Sequence, residues 1–284
     1  MKVSVIIPAL NEEAAIGCVV AEIPRALVSE IVVVDNGSTD ATAKVAGEAG
    51  ARVARATERG YGAACMAGVA AEADADIYVF LDGDGSDVAS ELPRLLAPVL
   101  SGQAMLALGV RAGRVEAGSM PLHQRIGNRL LVGWLALLSG RSVRDLPSFK
   151  VMTAEALRSL DLQETTHGWT AELISKAALR RLQIAELETG YRRRLGESKV
   201  SGTVRGSLLA GWRIFSTITR CWAKERRLGM AAAGAAIGSL LGAAFLAFTS
   251  IGLLSIEGTN YKVLAAVWLW ALPVLGIGAA VGYA

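Results

Sequence analysis

The segment YVFLDGDGSD, residues 78–87, places Asp82, Asp84 and Asp87 within six positions at the end of an apolar run. Carboxylates this close repel one another unless they are solvated, protonated or sharing a cation. Asp82 and Asp84, two apart on a loop, can both turn toward one divalent ion, and Gly83 and Gly85 let the backbone take the tight path this requires. Mg2+ or Mn2+ held in this way keeps coordination positions open for phosphate oxygens. An EF-hand calcium loop is excluded, because its sixth position would be Asp87 where glycine is needed and its twelfth would be Pro93 where glutamate is needed. Taken alone, the segment also suits a solvated turn rich in Asp and Gly.

The elements that must position these carboxylates are legible upstream. KVSVIIP, EIVVVD, ARVAR, DIYVFLD and AMLALGV are short and rich in Val and Ile, which predicts strands, and helical spacing begins near Asn11, Ser38, Gly62 and Val88. Asn11 followed by Glu12 and Glu13 predicts a helix cap with an acidic first turn, and Ser38, Thr39 and Asp40 predict the same for the next helix. Such β-α-β alternation implies a parallel sheet covered on both faces, with a ligand beyond the carboxyl ends of its strands. Polar residues gather at those ends: Pro8 to Glu12, Asp35 to Asp40, and Asp82 to Asp87. Residues 113–227 are less regular. There PLHQRIGNRLLVGWLALLSG and TVRGSLLAGWRIFSTITRCW each predict a helix, the first with Leu122, Ile126, Leu130, Trp134 and Leu137 at helical spacing and the second with Leu208, Trp212, Phe215, Ile218 and Trp222. Trp with Arg on such helices suits a membrane-surface position; packing onto the sheet is the alternative.

Composition bounds the remainder. The 284 residues are 52% hydrophobic, with the excess at the C-terminal end. No charged residue occurs from Leu228 to Ile256 or from Val263 to Ala284, and each run exceeds the roughly 20 residues that span a bilayer core. A two-helix transmembrane hairpin over 228–284 is therefore expected, with a buried helical pair as the alternative. RIFSTITRCWAKERR before the first run keeps that flank cytoplasmic under the positive-inside tendency, which predicts an integral cell-membrane protein with its catalytic part on the cytoplasmic face. The N-terminal apolar run is too short for a signal peptide. Cys18, Cys65 and Cys221 lack metal-ligand or CxxC spacing and are given no chemical role. The net charge of +3 singles out no nucleic-acid partner. Gly234, Gly238 and Gly242 are four apart, a spacing that suits a close helix contact within the hairpin or in a homo-oligomer.

SVIIPALNEE, EIVVVDNGSTD, RGYGAACMAG and FLDGDGSD, in that order, resemble the family-2 glycosyltransferases across residues 3–111. HQRIGNRLL, DLPSFKV, HGWTAELISKA and YRRRLGESKVSGT extend the likeness to about residue 206, toward the polyprenyl-phosphate glycosyltransferases such as dolichyl-phosphate mannose and glucose synthases. The resemblance implies an α/β fold of GT-A type with a mainly parallel central sheet: a nucleotide-sugar and metal-binding half over 1–112, an acceptor-side half with membrane-surface helices over 113–227, and then the hairpin. It implies that Pro8, Ala9, Asn11 and Glu12 line a nucleotide pocket, that Asp35 accepts a hydrogen bond from the base, and that Asp82 and Asp84 hold Mg2+ or Mn2+ on the diphosphate. Gly60 and Gly62 would permit close approach to the donor, whereas a dinucleotide fingerprint is not matched there. Arg193, Ser198 and Lys199 match a basic acceptor loop, and Arg111 and Arg125 would add positive charge near either phosphate. Asp82, Asp84, Arg193 and Lys199 are thus expected to carry catalysis. Asp145, Lys150 and Glu172 fall in matching motifs without a definite step, and His123 and His167 are expected to be structural or surface residues.

The implied partners are a nucleoside-diphosphate sugar of the UDP-glucose or GDP-mannose class, a polyprenyl phosphate and the lipid bilayer. Direct attack of a phosphate oxygen on the anomeric carbon would invert it. A phosphate monoester has a second pKa of about 6, so it is largely dianionic at neutral pH and needs no dedicated base. Transfer to a soluble or other lipid acceptor, and a non-catalytic membrane scaffold that binds a nucleotide sugar, are the rival functions.

Overall fold

The Val and Ile runs become strands buried on both faces, which is why they read as continuous apolar segments rather than alternating ones. In the computed structural model of the chain, residues 1–196 and 204–226 are described, and Met1–Glu225 form one compact unit. The elements in chain order are β1 (Val3–Ala9), α1 (Ile16–Glu22), β2 (Glu30–Asp35), α2 (Thr42–Glu48), β3 (Arg52–Arg55), α3 (Tyr61–Ala71), β4 (Ile77–Phe80), α4 (Leu92–Leu100), β5 (Leu106–Val115), α5 (Leu122–Ser139), β6 (Lys150–Thr153), α6 (Ala154–Leu160), α7 (Trp169–Leu179), β7 (Ile184–Tyr191) and α8 (Val204–Arg226).

Among the described residues the sheet has seven strands in the order β3-β2-β1-β4-β6-β5-β7. β1 pairs in parallel with β2 and β4, β2 with β3, and β5 with β7. β6 runs antiparallel to both its neighbours, β4 and β5. The sheet is thus mainly parallel, as expected, and it is continuous across residue 112, because β5 crosses that position. Period-two alternation divides the core. Ile6, Val32, Val34 and Phe80 face Cys65, Leu157, Trp169 and Leu173 of α3, α6 and α7, while Val5, Ile7, Ile31 and Val33 face Ile16, Val20, Ala46 and Leu95 of α1, α2 and α4. At one sheet edge, β3 is four residues long and both its terminal arginines, Arg52 and Arg55, are exposed.

Two helix starts differ from the sequence expectation. α1 begins at Ile16, not near Asn11, and carries no side-chain cap or acidic first turn. Asn11 adopts φ 52°, which turns the chain before the helix, and the Glu12 carbonyl accepts the Ala15 and Ile16 N–H groups instead. α2 begins at Thr42. Asp40 Oδ1 accepts the Thr42 N–H at 3.0 Å and Glu13 Oε2 accepts the Ala41 N–H at 2.8 Å, so the polar residues expected to cap two helices separately knit the two loops together.

The integral membrane location does not stand. Among the described residues no helix is long and apolar enough to cross a membrane, and the apolar runs of 228–284, with their glycines, lie outside the described residues.

Candidate functional site

Beyond the carboxyl ends of β1, β2 and β4 lies a cavity of about 290 Å³, where an open α/β sheet is expected to bind its ligand. Pro8, Ala9, Leu10 and Glu12 reach it from the end of β1, Asn36 from β2, and Asp82, Gly83 and Asp84 from the loop after β4. Tyr61 at the start of α3, His167, Thr170 and Ala171 around the start of α7, Arg111 on β5, Leu146 and Ser148 before β6, Arg194 after β7 and Ile214 on α8 complete the wall.

The two carboxylates of the acidic loop differ in environment. Gly85, at φ 76°, supplies the left-handed turn that folds the loop back. Asp84 Oδ1 accepts the Ser86 N–H at 2.9 Å and the Ser86 hydroxyl at 2.6 Å, and Asp84 Oδ2 accepts from the Arg194 guanidinium. Asp82 Oδ1 and the Tyr61 hydroxyl are both buried with no well-aligned hydrogen bond among the described residues, yet the two groups interact, the hydroxyl favouring the ionised carboxylate. Burial, and then the charge of Asp84, hold the Asp82 carboxyl above the usual carboxylate range. A buried anionic oxygen with no well-aligned hydrogen bond, beside a second carboxylate, is a fit for a divalent cation. Among the described residues no group of three His, Cys, Asp or Glu side chains could hold a metal, so protein ligation there would amount to two carboxylates, with oxygens from outside the protein filling the other positions. Asp87 lies behind the loop. Its Oδ2 accepts the Ser148 hydroxyl at 2.8 Å and the Asp82 N–H at 3.3 Å, and burial followed by the charge of Asp82 pushes its pKa up to about 7.

Besides Arg194, two further cations face the acidic loop. Arg111 is locked: its Nε and Nη2 donate to Asp145 at 2.9 and 2.7 Å, a forked geometry that gives Asp145 a definite place. Burial opposes the charge on Arg111, but the Asp145 carboxylate more than offsets it and raises the proton affinity overall. Lys150 is completely buried; its Nζ donates to the Ser148 carbonyl at 2.8 Å and the Thr170 hydroxyl at 3.3 Å and stands 5.3 Å from the centre of the Trp169 ring. Burial lowers its pKa.

Several expected residues lie elsewhere. Asp35 is not part of the cavity wall; its Oδ1 accepts the Ser38 N–H at 2.9 Å, and its neighbour Asn36 reaches the wall. Asn11 is turned toward the second loop, where its Oδ1 accepts the Thr39 N–H at 2.8 Å. The space at Gly60 and Gly62 is taken up by protein: a Cβ on Gly60 would collide with the Thr165 carbonyl, and one on Gly62 with the Glu164 carbonyl and, at 2.8 Å, with Trp169 Cβ. The 165–166 carbonyls accept the Ala63 and Gly62 N–H groups at 2.9 and 3.3 Å, which satisfies the open end of α3. Arg125 is exposed on α5, outside the cavity. Arg193 also turns away, donating to the Ala117 carbonyl at 2.9 and 2.6 Å. Ser198 and Lys199 lie outside the described residues. Glu172 is structural: it pairs with Lys176 at 2.8 Å and accepts the Gln163 and Glu164 N–H groups at 2.9 and 2.7 Å. His167, expected to be structural, is part of the cavity wall, whereas His123 is not.

Residues 4–182 match the family model described as glycosyl transferase family 2. The chain belongs to glycosyl transferase family 2. This glycosyltransferase is 38% identical over 219 residues to an uncharacterised glycosyltransferase of Mycobacterium tuberculosis, covering 75% of this chain and 98% of the relative. It is 34% identical over 211 residues to the dolichyl-phosphate hexose transferase of Haloferax volcanii, covering 72% and 90%. Among solved structures, glucosyl-3-phosphoglycerate synthase of M. tuberculosis with Mn2+, UDP-glucose and phosphoglyceric acid superposes with a TM-score of 0.64 at 26% identity, over 78% of this glycosyltransferase and 80% of that chain. The fold of this glycosyltransferase is accordingly GT-A-like, with its cavity at the strand ends of the family domain.

Proposed function

We propose that the enzyme transfers a hexose from a nucleoside-diphosphate sugar to a polyprenyl phosphate, with inversion. The observation that carries this reading is the convergence in one cavity of Asp82, Asp84, Arg111 and Arg194: acidic groups to hold a cation beside basic groups to hold phosphates. Pro8, Ala9, Glu12 and Asn36 would form the nucleotide wall, and Asp82 with Asp84 would hold Mg2+ or Mn2+. The ion would stabilise charge developing on the departing diphosphate. Arg111, fixed by Asp145, would orient a phosphate without reorganising, and that preorganisation supplies much of the benefit of placing two anionic substrates together. An acceptor that arrives as a dianion removes the need for a general base.

A lipid acceptor is supported by the name of the Haloferax relative and by the outer face of α5, where Leu122, Ile126, Leu130 and Leu137 are all more than half exposed. The second reading, a soluble phosphorylated acceptor, is favoured by the structural likeness to glucosyl-3-phosphoglycerate synthase. A panel of UDP- and GDP-sugars offered with polyprenyl phosphate or with phosphoglycerate decides between them. Divalent-dependent label in the organic-extractable fraction from one preferred donor is expected, falling at least about a hundredfold in Asp82→Asn. Label confined to the aqueous acceptor rejects the lipid, and an unaffected Asp82→Asn rejects the site.

A further inference from the structure

We propose that Arg194 is a cation held in reserve on Asp84: a divalent ion displaces its guanidinium, which then binds the donor's diphosphate. This rests on the reading of Asp82 and Asp84 as the metal carboxylates, and it assigns to Arg194 a part that its neighbours cannot take. Both oxygens of Asp84 are engaged, Oδ1 by Ser86 and Oδ2 by the like-charged rival of a metal, Arg194, whereas Asp82 keeps a buried oxygen that faces only the Tyr61 hydroxyl, with no well-aligned hydrogen bond. An ion held by both Asp82 and Asp84 would set a second cation against the Arg194 guanidinium at Asp84, and charge repulsion would favour release of the guanidinium. Two cations compete for one carboxylate.

The backbone keeps the displaced side chain within the cavity. The Arg192 N–H donates to the Ser86 carbonyl at 2.8 Å, the Leu195 N–H donates to the Asp84 carbonyl at 2.9 Å, and Asp87 bridges Tyr191. The Arg194 main chain is thereby fixed against the acidic loop, so that its released side chain swings about a stationary base. Arg111 lacks this freedom, because its fork is closed on Asp145, and Arg193 faces Ala117. Of the two arginines in the cavity wall, Arg194 is the one whose carboxylate has a second use. Its planar fork suits a diphosphate, and the same event that frees the fork brings the diphosphate to it.

The test titrates the full-length chain with Mn2+, following the free ion by electron paramagnetic resonance, first without nucleotide and then with UDP or GDP. Without nucleotide, Arg194→Gln is expected to bind Mn2+ about tenfold more tightly than the native chain, and in saturating Mn2+ to bind the nucleotide about tenfold more weakly. Arg194→Lys, which keeps a point charge but loses the fork, should fall between. Opposite signs are the signature, since a general loss of structure weakens both affinities. Unchanged or weaker Mn2+ binding by both variants, while Asp82→Asn and Asp84→Asn lower it, overturns this inference alone. If neither Asp variant lowers Mn2+ binding, or no variant binds Mn2+ even with UDP or GDP, the metal reading falls and takes this one with it.

Discussion

Asp87 is a carboxyl group folded into a place that disfavours its charge. Burial and the neighbouring Asp82 raise its pKa to about 7, against about 3.9 in an unfolded chain. Between those values the folded state binds more protons than the unfolded one, so this group's contribution to stability is fully present below about pH 4 and is lost as pH rises toward 7. In EDTA, the melting temperature of the native chain is therefore expected to fall from about pH 5 to about pH 7.5 more steeply than that of Asp87→Asn. Parallel profiles would assign the slope to other groups. The neutral amide also keeps an acceptor for the Ser148 hydroxyl, which limits the structural cost of the substitution.

At the scale of elements, the loop at 164–166 and the first turn of α3 are built around missing side chains. Gly62→Ala would drive its Cβ into the Glu164 carbonyl and Trp169 Cβ, an overpacking that costs about 1–3 kcal/mol. Denaturant unfolding should show that loss, with turnover reduced through displacement of Tyr61; an unchanged midpoint would mean that the loop yields freely. The same contact explains one limit of the sequence. A glycine near a pocket records close approach, but not whether a ligand or the chain itself approaches. The interior strands were legible because both their faces are covered: EIVVVD and β2 coincide. β6 and β7 were not. KVMT is four residues long with a buried lysine, and β7 places Glu186 and Glu188 on a half-covered strand, so neither carries an apolar run. That Asp82, Asp84 and Asp87 gather at the end of β4 was legible from their spacing after an apolar run, although the same spacing also suits a solvated turn. Which arginine of the 192–194 run faces the acidic loop was not legible, because the hydrogen bonds of Arg192 and Leu195 to that loop set the orientation.

For the molecule as a whole, α5 is apolar on two sides. Trp134 stacks on Phe215 of α8 with ring centres 5.2 Å apart, and Leu135 is fully buried, while Leu122, Ile126, Leu130 and Leu137 face outward with Leu209 and Trp212 of α8 also exposed. Spacing alone could not separate these faces. Leu130→Gln with Leu137→Gln should leave stability within about 0.5 kcal/mol per site, as exposed substitutions do, and raise KM for a long polyprenyl phosphate but not for a short-chain analogue. An equal rise for both acceptors would remove the lipid-chain contact from that face. The lateral margins of the sheet have a different consequence. β3 stops after four residues between exposed arginines, and at the opposite margin Glu188 of β7 is held by Arg144 at 2.5 Å. A bare strand flank templates runaway stacking, and shortness, as in β3, or charge, as on both margins, resists it. Among the described residues, the charge on both flanks would thus discourage crowded copies of this enzyme from zipping sheet to sheet.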